Sequence, residues 1–382
     1  MTVLPDTQGR VRLSGGIPVR NLWLLMLYAS DLYRHLGESR VTTEENPDEI
    51  AGLVAEILCH QVEVRLIRNL SYGYESRSEV VSRVRGRIDV LTTERQRLLD
   101  KGKVHCRFEA LTIDTPRNRY VCAALVVLAT LLQRGDLAKR CRGLALSLER
   151  LGVTAKKPKY YHPRNERFGR HDQGDQKMIA AAELAYSLAL PAQEEGLYRL
   201  PSPGSDISWL RNLFEKAIAG FYVVSLANQQ WRVTAGKRLS WQVSSKTEGV
   251  EQILPGMKTD IAIDHLESSR QLVIDTKFNS ITTRGWYRED TLRSGYIYQM
   301  YAYLRSQEVP GVDESLHSSG MLLHPATDVE MTENVIIQGH SIWFCTVDLN
   351  ASSVAIRARL LELVGMIFPD TGMGWEGKNG IC

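Results

Sequence analysis

No two of the six cysteines (Cys59, Cys106, Cys122, Cys141, Cys345 and Cys382) stand in a C-x-x-C spacing. That absence argues against a zinc site and against a disulfide framework, and it fits reduced thiols in the cytoplasm. Long apolar runs are also missing. The longest, Tyr120 to Leu132, covers about 13 residues and is interrupted only by Thr130, whereas a membrane span needs about 20. The opening MTVLPDTQGRVRLSGG has no apolar stretch behind a basic start, so no secretory signal is visible. No G-x-x-x-x-G-K-[ST] loop occurs: Gly236-Lys237 is followed by Arg238 and lacks the upstream glycine. The chain is therefore not expected to hydrolyse nucleoside triphosphates by itself. Neither G-x-S-x-G nor H-E-x-x-H appears.

What is present is a soluble globular composition. Apolar residues make up 43% and charged residues 24% of 382, enough for a real core and for two domains. The net charge of +3 hides an asymmetry. Residues 1–200 hold 31 Lys+Arg against 24 Asp+Glu, a balance of +7, and residues 201–382 hold 16 against 20, a balance of −4. The excess concentrates between Arg134 and Lys177, with 12 basic and 5 acidic residues. Such a stretch, with Tyr160, Tyr161 and Phe168 inside it, is either a phosphate-facing surface or a solvated face.

The segment Pro191–Asp206, PAQEEGLYRLPSPGSD, reads as a joint and sets an expected domain boundary near residue 200. Before it, apolar spacing predicts helices over about 18–36, 48–69, 116–133, 137–155 and 175–190, with small strands around Val84–Val90. After it, the pattern predicts a helix over 207–226 and strands over 231–243, 259–264 and 271–278. A helix over 294–306, strands over 320–323 and 341–347 and a helix over 354–367 follow. The expected fold is thus two-domain: a mixed N-terminal domain, residues 1–200, and an α/β domain with a central mixed sheet, residues 201–382.

The strongest chemical signal runs from Pro255 to Lys277. Asp260 follows a Pro-Gly turn and opens the strand TDIAID; the strand QLVIDTKF then carries Asp275 and Lys277. Residues i and i+2 of a strand share a face, so Asp275 and Lys277 project together, and a neighbouring strand can bring Asp260 beside them. Paired carboxylates repel and favour a divalent cation between them, and hard oxygen ligands suit magnesium. A lysine beside the metal can hold or deprotonate an attacking water. A lone D-x-K is weak, since a surface ion pair gives the same letters. The apolar flanks Leu272, Val273, Ile274 and Phe278 imply a buried strand, where charges need partners or a purpose. The following helix adds Gln299 and Tyr303, four apart and on one face.

The layout Asp…Asp-x-Lys followed by Gln-x-x-x-Tyr resembles the PD-(D/E)xK nuclease superfamily. More closely, the chain is similar to the McrC family, the nuclease subunits of McrBC modification-dependent restriction systems. The similarity rests on Ile17-Pro18-Val19-Arg20-Asn21 with Tyr28-Ala29, on Gly86-Arg87-Ile88-Asp89 and on Asp114-Thr115-Pro116-Arg117-Asn118-Arg119. It rests further on Pro255–Ile261, Val273–Lys277 and Tyr298-Gln299 with Tyr303. It covers about residues 17–365.

The resemblance implies an endonuclease subunit that hydrolyses DNA phosphodiester bonds with Mg2+ and stimulates a McrB-type AAA+ GTPase hexamer. GTP would be bound by that partner, with the N-terminal domain docking on the ring and the C-terminal restriction-endonuclease-like domain cutting double-stranded DNA that bears modified cytosine. It implies Asp260 and Asp275 as metal ligands and Lys277 as the water-activating residue.

The neighbouring candidates each carry a bland reading as well. Gln299 and Tyr303 either orient the lysine, the water or a DNA phosphate, or simply pack on the sheet. Glu215 either joins the site or pairs with Lys216 on a solvated face. Arg20 and Asn21 fit capping or buried hydrogen bonding; Arg87 and Arg119 fit bracing of the N-terminal domain or contact with the ring; His324 and His340 read as structural. Two other functions stay open: a stand-alone nuclease of a repair or mobile-element system, and a non-cutting NTPase-activating module.

Overall fold

The computed structural model describes residues 17–36, 49–132, 135–168, 173–190, 197–198, 206–227, 230–268, 270–283, 290–309, 313–327 and 330–369. In chain order these form β1 (Ile17–Pro18), α1 (Val19–Tyr28), α2 (Ile50–Arg68), β2 (Gly73–Val81), β3 (Arg87–Ile88), α3 (Val90–Arg95), β4 (Val104–Thr112), α4 (Pro116–Leu131), α5 (Asp136–Arg150) and α6 (Gln173–Ala189). Then come β5 (Leu197–Tyr198), α7 (Asp206–Ser225), β6 (Trp231–Ala235), β7 (Arg238–Leu239), β8 (Met257–Lys258), β9 (Ile261–His265), β10 (Arg270–Thr276), β11 (Thr282–Thr283) and β12 (Thr291–Leu292). The chain closes with α8 (Ser294–Arg305), β13 (Ser319–Pro325), β14 (Thr332–Ile337), β15 (His340–Val347) and α9 (Ser353–Ile367). Among the described residues no helix is long and apolar enough to cross a membrane.

The chain forms two compact units, residues 1–50 with 191–382, and residues 51–190. This differs from the single boundary near residue 200 expected from the sequence. The reason is α1, which belongs with the second half. Asn21 is fully buried, and its Nδ2 donates to the carbonyls of Leu349 (2.7 Å) and Ala351 (3.0 Å). Tyr28 packs its ring on Phe221 of α7, 5.2 Å between centroids. At Gly220 an added Cβ would collide with the Tyr28 carbonyl oxygen, so the two helices approach through a glycine. No local pattern announces such a pairing.

The unit 51–190 holds a three-stranded sheet, order β2-β4-β3, and the helices α2 and α4–α6. β2 and β4 pair antiparallel over nine residues, Gly73 opposite Thr112 to Val81 opposite Val104. The Thr115 side chain caps α4 by accepting from Asn118 N (3.1 Å), with Pro116 in the first turn. Cys59 and Cys141 are fully buried with their Sγ atoms 3.4 Å apart; Cys59, Cys106, Cys122, Cys141 and Cys345 are all free thiols. Cys382 lies outside the described residues.

The other unit is built on a six-stranded mixed sheet, order β14-β15-β13-β10-β9-β6. The central pairs β10–β13 and β13–β15 are parallel; the outer pairs are antiparallel. Both faces of the centre are apolar, as a sheet covered on two sides requires. Val273, Leu322, Ile342 and Phe344 pack with Met300, Tyr303 and Leu304 of α8. The alternate residues Ile261, Ile263, Leu272 and Ile274 are fully buried as well. The strand expected over 231–243 breaks at Gly236, which adopts φ +65°. β14 has no counterpart in the sequence reading because its residues are mostly exposed and carry no apolar alternation.

Candidate active site

Backbone bonds fix the approach to the site. Gly236 N donates to Asp260 O (2.7 Å) and Thr259 N to Lys237 O (2.9 Å), so the turn after β6 clamps the two residues that precede β9. β10 pairs antiparallel with β9, with Ile274 opposite Ile261. One step further along that register brings Asp275 opposite Asp260. The hydroxyl and the amide of Thr276 both donate to Asp260 Oδ2, at 2.8 and 2.7 Å, which leaves Oδ1 available to another partner. β10 runs beside β13, and Lys277 N donates to Leu323 O (3.0 Å), holding the strand straight through the D-x-K triplet.

Asp275 is 1% exposed. Its Oδ2 lies 2.7 Å from Lys277 Nζ as an ion pair and has no further hydrogen-bond partner. Burial pushes the Asp275 carboxyl up to about 6; Asp260 and Glu215 push the same way, and Lys277 opposes them. Glu215, on α7, is also raised, by burial and then by the Asp260 charge, against Lys258, Lys216 and Lys277. The structure therefore brings Glu215 into the electrostatic reach of Asp260 and Asp275, not merely beside Lys216. Lys277 Nζ lies 5.1 Å from the Tyr296 ring centroid, a cation–π contact that holds the ammonium.

Gln299 and Tyr303 share a face of α8 as the spacing predicts, but neither bonds the lysine. Gln299 Nε2 donates to Tyr303 OH (2.6 Å), and Tyr303 OH donates to Lys258 O (2.9 Å). The pair thus steadies the backbone two residues before Asp260. The Tyr303 hydroxyl is raised, first by burial. His324 has Nδ1 2.9 Å from Asn279 O, and burial lowers its pKa to about 4, so it is neutral at pH 7. His340 sits between Ser318 O (2.9 Å) and Glu308 Oε1 (2.8 Å). Three neighbours have no role in the sequence reading: Lys258 and Thr276, which lie inside the matched motifs, and Tyr296. Their signal was positional, two residues before Asp260, inside the triplet, and three before Gln299.

A divalent cation fits this donor set. Two carboxylates oppose each other across paired strands, Asp275 has a buried oxygen without a hydrogen-bond partner, and the Asp260 charge adds to burial in raising the Asp275 pKa. Among the described residues no three or more His, Cys, Asp or Glu side chains gather into an enclosing metal site. An ion here would be held by Asp260 and Asp275 and would complete its shell with water and substrate oxygen, the habit of magnesium.

The motifs of the other unit brace it. Arg119 Nη2 pairs with Asp114 Oδ2 (2.5 Å), and Asn118 Nδ2 donates to Ser71 O (2.9 Å) and Ile113 O (2.7 Å). Arg117 bridges Glu166 (2.5 Å) and the buried Asp175 (2.7 Å). Arg87 is exposed on β3, and Arg20 is exposed at the start of α1.

Comparison with known proteins bears on the whole chain. The family model of the McrBC 5-methylcytosine restriction system component matches residues 2–314. The chain is 26% identical over 352 residues to the type IV methyl-directed restriction enzyme EcoKMcrBC of Escherichia coli (strain K12), covering 91% of this chain and 97% of that protein. One similar solved structure is a half-complex from a tetradecameric assembly of Thermococcus gammatolerans McrB AAA+ hexamers with bound McrC. There the TM-score is 0.38 and the identity 16%, over 82% of this chain and 68% of that one. Another is the Thermococcus gammatolerans McrBC complex, with a TM-score of 0.32 and 15% identity over 55% of this chain and 59% of that one. With the family model spanning residues 2–314, this chain belongs to the family of McrBC 5-methylcytosine restriction system components.

Proposed function

We propose that the chain is the DNA-cutting subunit of a GTP-dependent, modified-cytosine-specific restriction complex. On this reading it works in the cytoplasm with a McrB-type AAA+ GTPase hexamer, whose GTP hydrolysis it stimulates. The unit carrying the six-stranded sheet is read as a PD-(D/E)xK nuclease domain, and residues 51–190 as the unit that docks on the ring. The observation that carries the reading is the convergence of Asp260, Asp275 and Lys277 at the paired ends of β9 and β10, with Glu215 in electrostatic reach.

The reaction is hydrolysis of a phosphodiester: water adds to phosphorus, and the sugar oxygen leaves with a proton. Magnesium, when held by Asp260 and Asp275, would lower the pKa of water and neutralise charge on the phosphoryl oxygens. Lys277, anchored by Asp275 and by the Tyr296 ring, offers an ammonium to position the nucleophile and to meet developing negative charge. Glu215, with its raised pKa, is suited to accept the proton that water gives up. Thr276 orients Asp260, and the Gln299–Tyr303 relay holds the Lys258 carbonyl, so both keep the first carboxylate in register.

The test is cleavage of supercoiled plasmid bearing modified cytosine, by this chain with magnesium, GTP and its cognate AAA+ GTPase. Cutting that needs all three supports the reading. Cutting without the GTPase would favour a stand-alone nuclease, and GTPase stimulation without cutting would favour a non-cutting activator.

A further inference from the structure

A concavity of about 820 Å³ opens within the unit 51–190, which does not hold the carboxylate–lysine cluster. That volume lies in the ordinary range for ligand sites. One wall is the start of β2 with the residues before it, the floor is the start of α4, and the other wall is the loop Tyr160–Glu166. Its distinctive feature is aromatic. Tyr160 is 92% exposed, Tyr74 75% and Tyr72 58%, and all three line the same space. Three large exposed aromatics around one hollow mark an interaction site rather than scattered surface residues.

The exposure is built into the loop. Tyr161, next to Tyr160, turns inward: its hydroxyl bonds Glu166 and its ring packs on Tyr120, 5.1 Å between centroids. Glu166 is tied to Arg117 (2.5 Å), whose guanidinium lies 5.1 Å from the Phe168 ring. Before Tyr160, Lys157 Nζ lies 4.0 Å from the Tyr186 ring centroid, so the backbone is anchored on both sides of Tyr160 while its ring stands in solvent.

Charge selects among ligands. The lining carries three acids, each in an ion pair with an arginine: Asp114 with Arg119 (2.5 Å), Glu166 with Arg117, which also holds Asp175, and Glu75 with Arg77 (3.4 Å), which lies outside the lining. On the loop that forms the Tyr160 wall, Lys156, Lys159 and Arg167 are exposed and have no acidic partner among the described residues. The lining acids are thus committed to ion pairs, and the uncommitted charge beside the cavity is positive. Flat aromatic faces flanked by free cations suit a strand whose bases are unstacked; a duplex keeps its base faces covered.

We infer that this cavity binds single-stranded DNA, with an unpaired base on Tyr160 and Tyr74 and with phosphates on Lys156, Lys159 and Arg167. The inference shares with the proposed function only the choice of DNA as ligand. It needs neither the hydrolytic site nor the GTPase. It also gives the basic stretch a use that the hydrolytic site leaves without one.

Binding of a fluorescent oligothymidine of about 12 nucleotides to the full chain in EDTA, read by anisotropy, tests it. Tyr160→Ala and Tyr74→Ala should each weaken binding about fivefold or more, the loss expected for one unstacked base, while Tyr160→Phe should retain it. The double variant Lys159→Ala/Arg167→Ala should lower the slope of log affinity against log salt by about 1.4, about 0.7 for each phosphate contact. Circular dichroism of the variants should match wild type, as all four positions are on the surface. Absent binding, or unchanged affinity in both tyrosine-to-alanine variants, overturns the inference. So does a loss of GTPase binding with oligonucleotide binding intact, which would make the surface a protein dock. Because no cutting is measured, a failure here is separable from a failure of the nuclease reading.

Discussion

Replacing Asp275 by asparagine should make the protein more stable and inactive at once. The fold holds this carboxyl up at about 6 against an ordinary value of 3.8, because burial and two neighbouring carboxylates outweigh Lys277. A raised folded pKa means that the native state prefers the protonated form. Below about pH 4 the group is protonated in both states and costs nothing. As pH rises through 6, the native state must carry a buried charge that the unfolded chain carries in water. About two pKa units at 1.36 kcal/mol each put that cost near 3 kcal/mol above pH 7. Asparagine has nearly the same shape and no charge, so Asp275→Asn should raise the melting temperature by roughly 5 °C at pH 8. That gain should shrink to nothing by pH 4. Divalent metal supplies a second readout. Millimolar magnesium or manganese should raise the wild-type melting temperature by binding the native state and should leave the variant unmoved. Differential scanning fluorimetry across pH, with and without metal, measures both effects. A variant less stable than wild type at pH 8, or a gain independent of pH, would refute the reasoning about this carboxylate.

Calcium should support DNA binding by the assembled complex but not cutting, because its looser coordination polarises water less than magnesium does; efficient cutting in calcium alone would count against a two-carboxylate site. Gly220→Ala should destabilise the unit that carries the sheet by about 3 kcal/mol or more, since the new Cβ meets the Tyr28 carbonyl and α1 must shift; urea titration would show it, and an unchanged midpoint would mean that the helix crossing is looser than described. A fragment of residues 51–190 should stay soluble, stimulate the partner's GTPase and cut nothing, whereas a fragment ending at Gly204 should aggregate because it strips α1 from α7. Steady-state GTPase rates test the first half, and stimulation confined to residues 191–382 would reverse the assigned roles.

Much of the unit that carries the six-stranded sheet is legible because its strands are buried and its helices amphipathic. Alternation put Asp275 and Lys277 on one face, and the Pro-Gly turn announced the strand after Asp260. The register that sets Asp260 against Asp275 was a guess about strand neighbours, and period alone does not name neighbours. Glu215 read equally well as a solvated partner of Lys216, since one helix face says nothing of what packs on it. Gln299 and Tyr303 were found by spacing, but their bond to the Lys258 carbonyl depends on how α8 lies over β8. The long pairing of β2 with β4 left almost no trace, because β2 is exposed nearly throughout and alternates polar residues on both faces. The grouping of α1 with the second half is illegible for a related reason: α1 is apolar enough to be buried, and nothing in its own ten residues says against what.

The most direct test of the account compares Asp260→Ala, Asp275→Ala and Lys277→Ala with wild type in the reconstituted complex, measuring plasmid cleavage and GTP turnover in the same reactions. Each variant should lose cleavage by several orders of magnitude while keeping wild-type stimulation of the GTPase, since the three side chains meet in the unit that carries the sheet and the ring-docking role is assigned to residues 51–190. Cleavage at the wild-type rate by any of the three would contradict the site, and the account of how this chain cuts DNA would have to be rebuilt around other residues.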